Sequence, residues 1–138
     1  MLVLDSDHLS EVLRGFAPGQ NLKRRLNAAG RNIFTTIVSV EEQSRGWLAL
    51  IARFRDPTRQ VEAYARYQNY VVSINDWRFL AFDSDSAMRF AKFRKDGIRI
   101  GSMDLKIASI VIGQSATLLT RDAADFDQVP ALKHENWL

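Results

Sequence analysis

Leu2-Val3-Leu4-Asp5-Ser6-Asp7-His8-Leu9-Ser10 decides the fold. Three apolar residues run into an acidic one. Ser6 and Asp7 are good N-cap residues for a helix reaching to about Arg14. The stretch therefore reads as a strand, then a helix, with a carboxylate at the joint.

The same grammar recurs outward from it. Gly15 and Pro18-Gly19 break the chain, and Gln20 to Ala29 reads as a helix stopped by Gly30. Ile33 to Val38 is β-branched and apolar, a strand candidate, and Ser39 can cap the long helix after it. Asp56-Pro57 ends that helix, and the next spans roughly Thr58 to Val72. Phe79 to Phe82 reads as a third strand, with Asp83-Ser84 capping a helix beyond it. Met103 to Gly113 is apolar on several faces, which predicts a buried helix. Thr117 to Thr120 is a fourth strand, Arg121 to Gln128 a loop or single turn, and Leu132 to His134 a short last strand. Strands separated by helices throughout predict an α/β protein, with a mostly parallel sheet of four to five strands flanked by helices.

At 138 residues the chain fits one domain, 1–138. Its composition, 46% hydrophobic and 25% charged, is that of a globular protein and excludes disordered, collagen-like and coiled-coil classes. The absence of Cys excludes disulfides, zinc-thiolate centres, iron–sulfur clusters and a cysteine nucleophile. No apolar run approaches the ~18 residues of a membrane span, so a cytoplasmic protein without a membrane partner is expected. Net charge is only +3, but fourteen of the nineteen basic residues are Arg, whose planar fork suits phosphate and carboxylate.

In open parallel sheets, ligands bind beyond the carboxyl ends of the strands. Acidic residues fall at such places: Asp5, Glu41 and Glu42, and Asp122 with Asp125. Asp104 joins them at the start of the apolar helix. Two like charges ~4 Å apart repel by about 4 kcal/mol at an effective dielectric of 20. Gathering them at one sheet edge therefore calls for shared protons or a divalent cation. Oxygen donors without Cys or paired His select Mg2+ or Mn2+ over zinc. Singly, an Asp at a helix start is usually a cap, which covers Asp7, Asp83 and Asp85. Glu41 reads as solvated, His8 and His134 as surface or cap groups, and Trp47, Phe54, Phe90 and Phe93 as core.

Four segments carry a resemblance: Leu4-Asp5-Ser6-Asp7-His8-Leu9-Ser10, Ser39-Val40-Glu41-Glu42-Gln43-Ser44-Arg45-Gly46, Asp104-Leu105-Lys106-Ile107-Ala108, and Leu119-Thr120-Arg121-Asp122-Ala123-Ala124-Asp125-Phe126. In order, type and spacing they resemble the PIN domain, and most of all its VapC-type toxins of type II toxin–antitoxin systems. The resemblance implies a Rossmann-like PIN fold and a Mg2+- or Mn2+-dependent endoribonuclease acting on single-stranded or loop RNA such as tRNA, rRNA or mRNA. It also implies a cognate VapB-type antitoxin and a homodimer. Asp5 and Asp104 match the principal metal ligands. Glu42 matches the acidic residue, chosen over Glu41 because Gly46 follows four residues later; Gln43 replaces a Leu there, a matter of packing. Asp125 matches an Asp-Phe motif, Asp122 stands where relatives carry Asn or Asp, and Thr120 matches a supporting hydroxyl. Asp7, often Asn in relatives, holds a water or caps the helix.

The expected mechanism has one or two ions on Asp5, Glu42, Asp104 and Asp122 or Asp125, an activated water attacking phosphorus in line, and a 3′-hydroxyl leaving group. Arg45, Arg99 and Arg121 are the basic residues expected to track the RNA backbone. One alternative is a phosphatase of the haloacid dehalogenase kind, using Asp5 as nucleophile and Asp7 as acid, which also needs a Lys before the final acidic motif; Lys106 is poorly placed for that. Another is a non-cleaving RNA- or protein-binding domain or a receiver-like regulator, whose phosphorylated Asp would follow the third strand, where Asp83 stands.

Overall fold

The computed structural model describes residues 1–138 and contains five strands and seven α-helices. Strand β1 (Leu2–Leu4) is followed by α1 (Ser6–Arg14) and α2 (Ala17–Ala29), and β2 (Ile33–Thr36) by α3 (Ile37–Ala52) and α4 (Pro57–Ile74). After β3 (Phe79–Leu80) come α5 (Ser84–Lys95) and α6 (Ser102–Gly113), and after β4 (Thr117–Leu119) come α7 (Ala123–Phe126) and β5 (Lys133–Glu135). All neighbouring strands are parallel, in the order β3-β2-β1-β4-β5. No helix is long and apolar enough to cross a membrane.

Alternation along the central strands divides two cores. Val3 and Leu118 point to one face, packed with Leu105, Ile107, Ile110 and Val111 of α6 and with Phe126. Leu2, Leu4 and Leu119 point to the other, packed with Leu9, Leu22, Leu26, Tyr70 and Ile74 from α1, α2 and α4. With both faces covered, β1 and β4 read as continuous apolar runs. Of the aromatic residues expected in the core, Phe90 and Phe93 border the first cluster and Trp47 the second. Phe54 is half-buried.

Several helix starts differ from the sequence reading. The cap of α1 is Asp5, not Ser6 or Asp7: its carboxylate accepts the His8 N–H at 2.8 Å. The cap of α3 is Thr36, whose hydroxyl accepts the Ser39 N–H at 3.0 Å, so the strand read to Val38 stops two residues earlier. Helix α2 begins at Ala17 rather than Gln20, because Pro18 occupies its first turn, where a missing N–H costs nothing. Gly19 is buried there against α1, and a Cβ on it would lie 1.8 Å from the Glu11 carbonyl oxygen.

Candidate metal centre

Strand order reverses between β1 and β4, since β1 continues outward through β2 and β3 while β4 continues through β5. A crevice at such a switch point is where open α/β sheets bind ligands. Asp5 follows β1 and Asp122 follows β4, so they stand on either side of it; a backbone bond from Asp5 N to Leu119 O, 3.1 Å, ties the two strand ends together.

Asp104 lies in the first turn of α6, where the helix's positive end favours an anion. Oxygens of Asp104, Asp122 and Asp125 come within 4.8 Å of one another, a group able to hold a metal ion. Asp122 caps α7 through a 3.2 Å bond from the Asp125 N–H, and the buried Thr120 hydroxyl accepts the Asp122 N–H at 3.0 Å. Those bonds fix the turn that presents Asp122 and Asp125.

Glu42 enters from α3. Burial pushes its carboxyl above the usual range, and Asp104, Asp5 and Asp7 push it further, against a lowering hydrogen bond from Ser6. Asp104 is likewise raised, first by burial and then by Asp122, Asp125, Asp5 and Asp7. Six carboxylates therefore share one field, and the charges that chiefly act on Glu42 and Asp104 are those of the other acids. Asp83 shows the opposite behaviour of an ordinary cap: the Ser86 N–H and hydroxyl hold it below the usual range. Asp7 is exposed at the rim, and its carboxylate is felt by both Glu42 and Asp104. An acidic, oxygen-only donor set of this kind suits a hard divalent ion.

Supports from distant parts of the sequence hold Glu42 in place. The Ser6 hydroxyl donates to Glu42 Oε1 at 2.7 Å. The Gln43 amide donates to the Ser6 carbonyl at 3.1 Å and to the Ser10 hydroxyl at 3.0 Å, so it clamps α3 to α1 rather than merely filling space. Neither role was visible in the sequence, where partners 33 to 37 residues apart carry no local signal. His8 differs more sharply from its reading as a surface or cap group, because it is fully buried. His134 is half-buried and pairs with Asp127 at 2.9 Å.

The three arginines expected to meet RNA are exposed and engaged separately. Arg45 pairs with Glu41 at 2.6 Å, and Arg121 reaches Glu11 on α1 at 3.4 Å. Arg99 donates to the Arg94 carbonyl at 2.8 Å in the loop before α6. Lys106, which a phosphatase would need against the carboxylates, lies over the Phe82 ring at 5.6 Å instead. Asp83 caps α5 through the Ser86 N–H at 2.8 Å rather than standing free as a receiver's phosphorylation site would. A separate cleft of about 800 Å³ between α1, α3 and α4 is lined by Arg14, Arg53, Arg66, Gln43, Trp47 and Tyr70 among others and contains no carboxylate.

No family model matches the chain. A stretch of 46 residues is 41% identical to Ribonuclease VapC2 of Rickettsia felis; it covers 33% of this chain and 34% of that protein, so the match spans about a third of the relative's length. Solved structures match far more of the chain. In the Rickettsia felis VapBC2 complex with a promoter DNA fragment, one chain superposes with a TM-score of 0.71 at 18% identity, covering 99% of this chain and 98% of that one. FitAcB from Neisseria gonorrhoeae gives 0.67 at 23% identity over 99% and 97%, and VapBC-1 from nontypeable Haemophilus influenzae gives 0.69 at 16% over 99% and 97%. Together with the five-stranded parallel sheet, these likenesses show that the chain shares the fold of chains in the VapBC and FitAcB assemblies, the fold expected from the resemblance of its four motifs to VapC-type PIN domains.

Proposed function

We propose that this chain is a divalent-cation-dependent endoribonuclease and the toxin of a VapBC-type pair. The observation that carries the reading is the gathering of acidic groups at the switch point: Asp104, Asp122 and Asp125 have oxygens within 4.8 Å of one another, Asp104 acts on Glu42, and Asp5 and Asp7 act on both Asp104 and Glu42. Repulsion of this size is sustained in a fold when the site serves a positive ligand.

Asp104, Asp122 and Asp125 would hold one Mg2+ or Mn2+, with Asp5 and Glu42 completing the donor set from the opposite side. Such an ion supplies neutralisation of the charge that builds on a phosphodiester and activates water for attack at phosphorus. The chain's own work is positional. Thr120 sets the Asp122 turn, Ser6 holds Glu42, and the N-terminal end of α6 favours the anionic form of Asp104. Arg121, Arg99 and Arg45 would meet backbone phosphates outside the crevice. A cognate antitoxin is the proposed partner, since the superposed solved chains belong to VapBC and FitAB assemblies. A homodimer belongs to the same reading.

Purified protein incubated with single-stranded RNA tests this. Cleavage in Mg2+, leaving 3′-hydroxyl and 5′-phosphate ends, with none in EDTA and none by Asp104→Asn, supports it. Metal-independent cleavage surviving in Asp104→Asn, or no cleavage of any cellular RNA, defeats it.

A further inference from the structure

His8 has no part in the reading above, yet it is the one fully buried ionisable side chain beside the carboxylates. Its ring joins two distant segments. Nδ1 lies 3.2 Å from Asp5 Oδ1, and Nε2 lies 3.3 Å from the backbone nitrogen of Trp137, 129 residues away. A backbone N–H only donates, so Nε2 accepts and carries no proton. In the neutral ring the proton is then on Nδ1, which donates to Asp5. Asp5 Oδ1 thus receives two bonds from one residue, the His8 N–H at 2.8 Å and the His8 ring. Both fix the carboxylate's rotation through one oxygen and leave Oδ2 without a protein donor.

Trp137 is itself firmly held. The Arg25 guanidinium lies 4.7 Å from its ring centroid and donates to its carbonyl at 2.7 Å, while its indole N–H donates to Glu135 at 2.7 Å. The segment after β5 is therefore an anchored donor, capable of selecting one tautomer of a buried ring.

We propose that His8 is a positioning residue for the metal centre: its ring, held as the Nδ1–H tautomer by the Trp137 backbone N–H, orients Asp5 so that Oδ2 is presented to the cation. This rests on the proposed metal-binding role of Asp5. Partners of metal-bound carboxylates act in this manner, and losing one typically weakens binding substantially.

Two amide substitutions separate this from a packing role, because each shrinks the ring but replaces a different nitrogen. Asn places an N–H where Nδ1 stands and keeps the bond to Asp5; Gln places its amide where Nε2 stands and keeps only the link to Trp137. Mn2+ affinity of the full chain, read by electron paramagnetic resonance, is expected to fall about tenfold or more in His8→Gln and to stay within about threefold of wild type in His8→Asn. Equal affinities in the two variants overturn the proposal. If the variants do not fold, the imidazole 15N shifts of the wild-type protein decide it: a protonated Nδ1 and bare Nε2 support the inference, the reverse tautomer overturns it. Wild-type protein that binds no Mn2+ defeats the metal-centre reading itself, whereas wild-type binding that His8→Gln leaves intact defeats only the role of His8.

Discussion

The Ser6 hydroxyl and the Glu42 carboxylate, 36 residues apart, share a 2.7 Å hydrogen bond that binds the first turn of α1 to α3. It is the one contact lowering the proton affinity of a carboxyl that burial and three other acids raise. Ser6→Ala removes it. Glu42 then holds its proton to higher pH, and the acidic limb of the Mg2+-dependent cleavage profile moves upward. The loss of cleavage is therefore greatest at the acidic end of the profile and shrinks as pH rises. An unshifted pH profile in Ser6→Ala counts against this assignment.

Asp104 and Glu42 also link folding to pH. A carboxyl whose folded pKa lies above its unfolded value binds its proton more tightly in the native state. The stability it contributes is present at low pH and is lost as pH rises from about 4 through the folded value. Without divalent ions, Asp104→Asn should therefore melt a few degrees above wild type at pH 7.5, with the gap narrowing toward pH 4. The measurement is thermal unfolding of both proteins in EDTA across that range; a variant that melts below wild type at pH 7.5 contradicts it.

Added Mg2+ should act in the opposite sense on the two proteins' difference. An ion at about ten times its Kd stabilises the native state by about 1.4 kcal/mol. Wild type therefore gains a few degrees in 10 mM Mg2+ for a Kd of about 1 mM. Asp104→Asn gains little. Equal shifts in both proteins would place the ion elsewhere.

Gly19 packs where α2 crosses α1, and there is no room for a methyl group against the Glu11 carbonyl. Gly19→Ala forces the helices apart and is expected to cost about 3 kcal/mol or more, seen as a lower denaturant midpoint. At Gly46 a Cβ meets nothing within 4 Å, so Gly46→Ala is the control and should hold or raise stability.

Arg121 serves as the probe of phosphate contact. Arg121→Ala should weaken RNA binding across sequences and lower the slope of log K against log salt by about 0.7, the value for one contact to a single strand. The exposed Arg121–Glu11 pair contributes at most about 1 kcal/mol, so folding is barely changed. An unchanged salt slope removes Arg121 from the RNA path.

The parts of this fold legible in sequence are those written locally. Leu2-Val3-Leu4 and Thr117-Leu118-Leu119 announce buried parallel strands because both their faces are covered, and the apolar run of α6 announces its burial. The acidic residues stood out because strand-to-helix joints recur in the same relation. Helix starts were less legible: Asp5 and Ser6 are both competent caps, and only the backbone turn chooses between them. Pro18 reads as a break, yet is equally at home in a first helical turn, and the buried seat of Gly19 against α1 favours the second outcome. Ser6, His8 and Gln43 took their roles from partners on other elements, which no local pattern encodes.

The strand order has a consequence for biosynthesis. β1 is made before the other strands and lies at the centre of the sheet, but its neighbour β4 spans Thr117–Leu119. A nascent chain that has emerged as far as residue 100 carries Asp5, Asp7 and Glu42 without Asp104, Asp122 or Asp125 and without the far wall of the crevice. The carboxylate centre is thus assembled only after α6, β4 and α7 have been made, so the first half of the chain carries half of the acidic groups without the partners that complete their field.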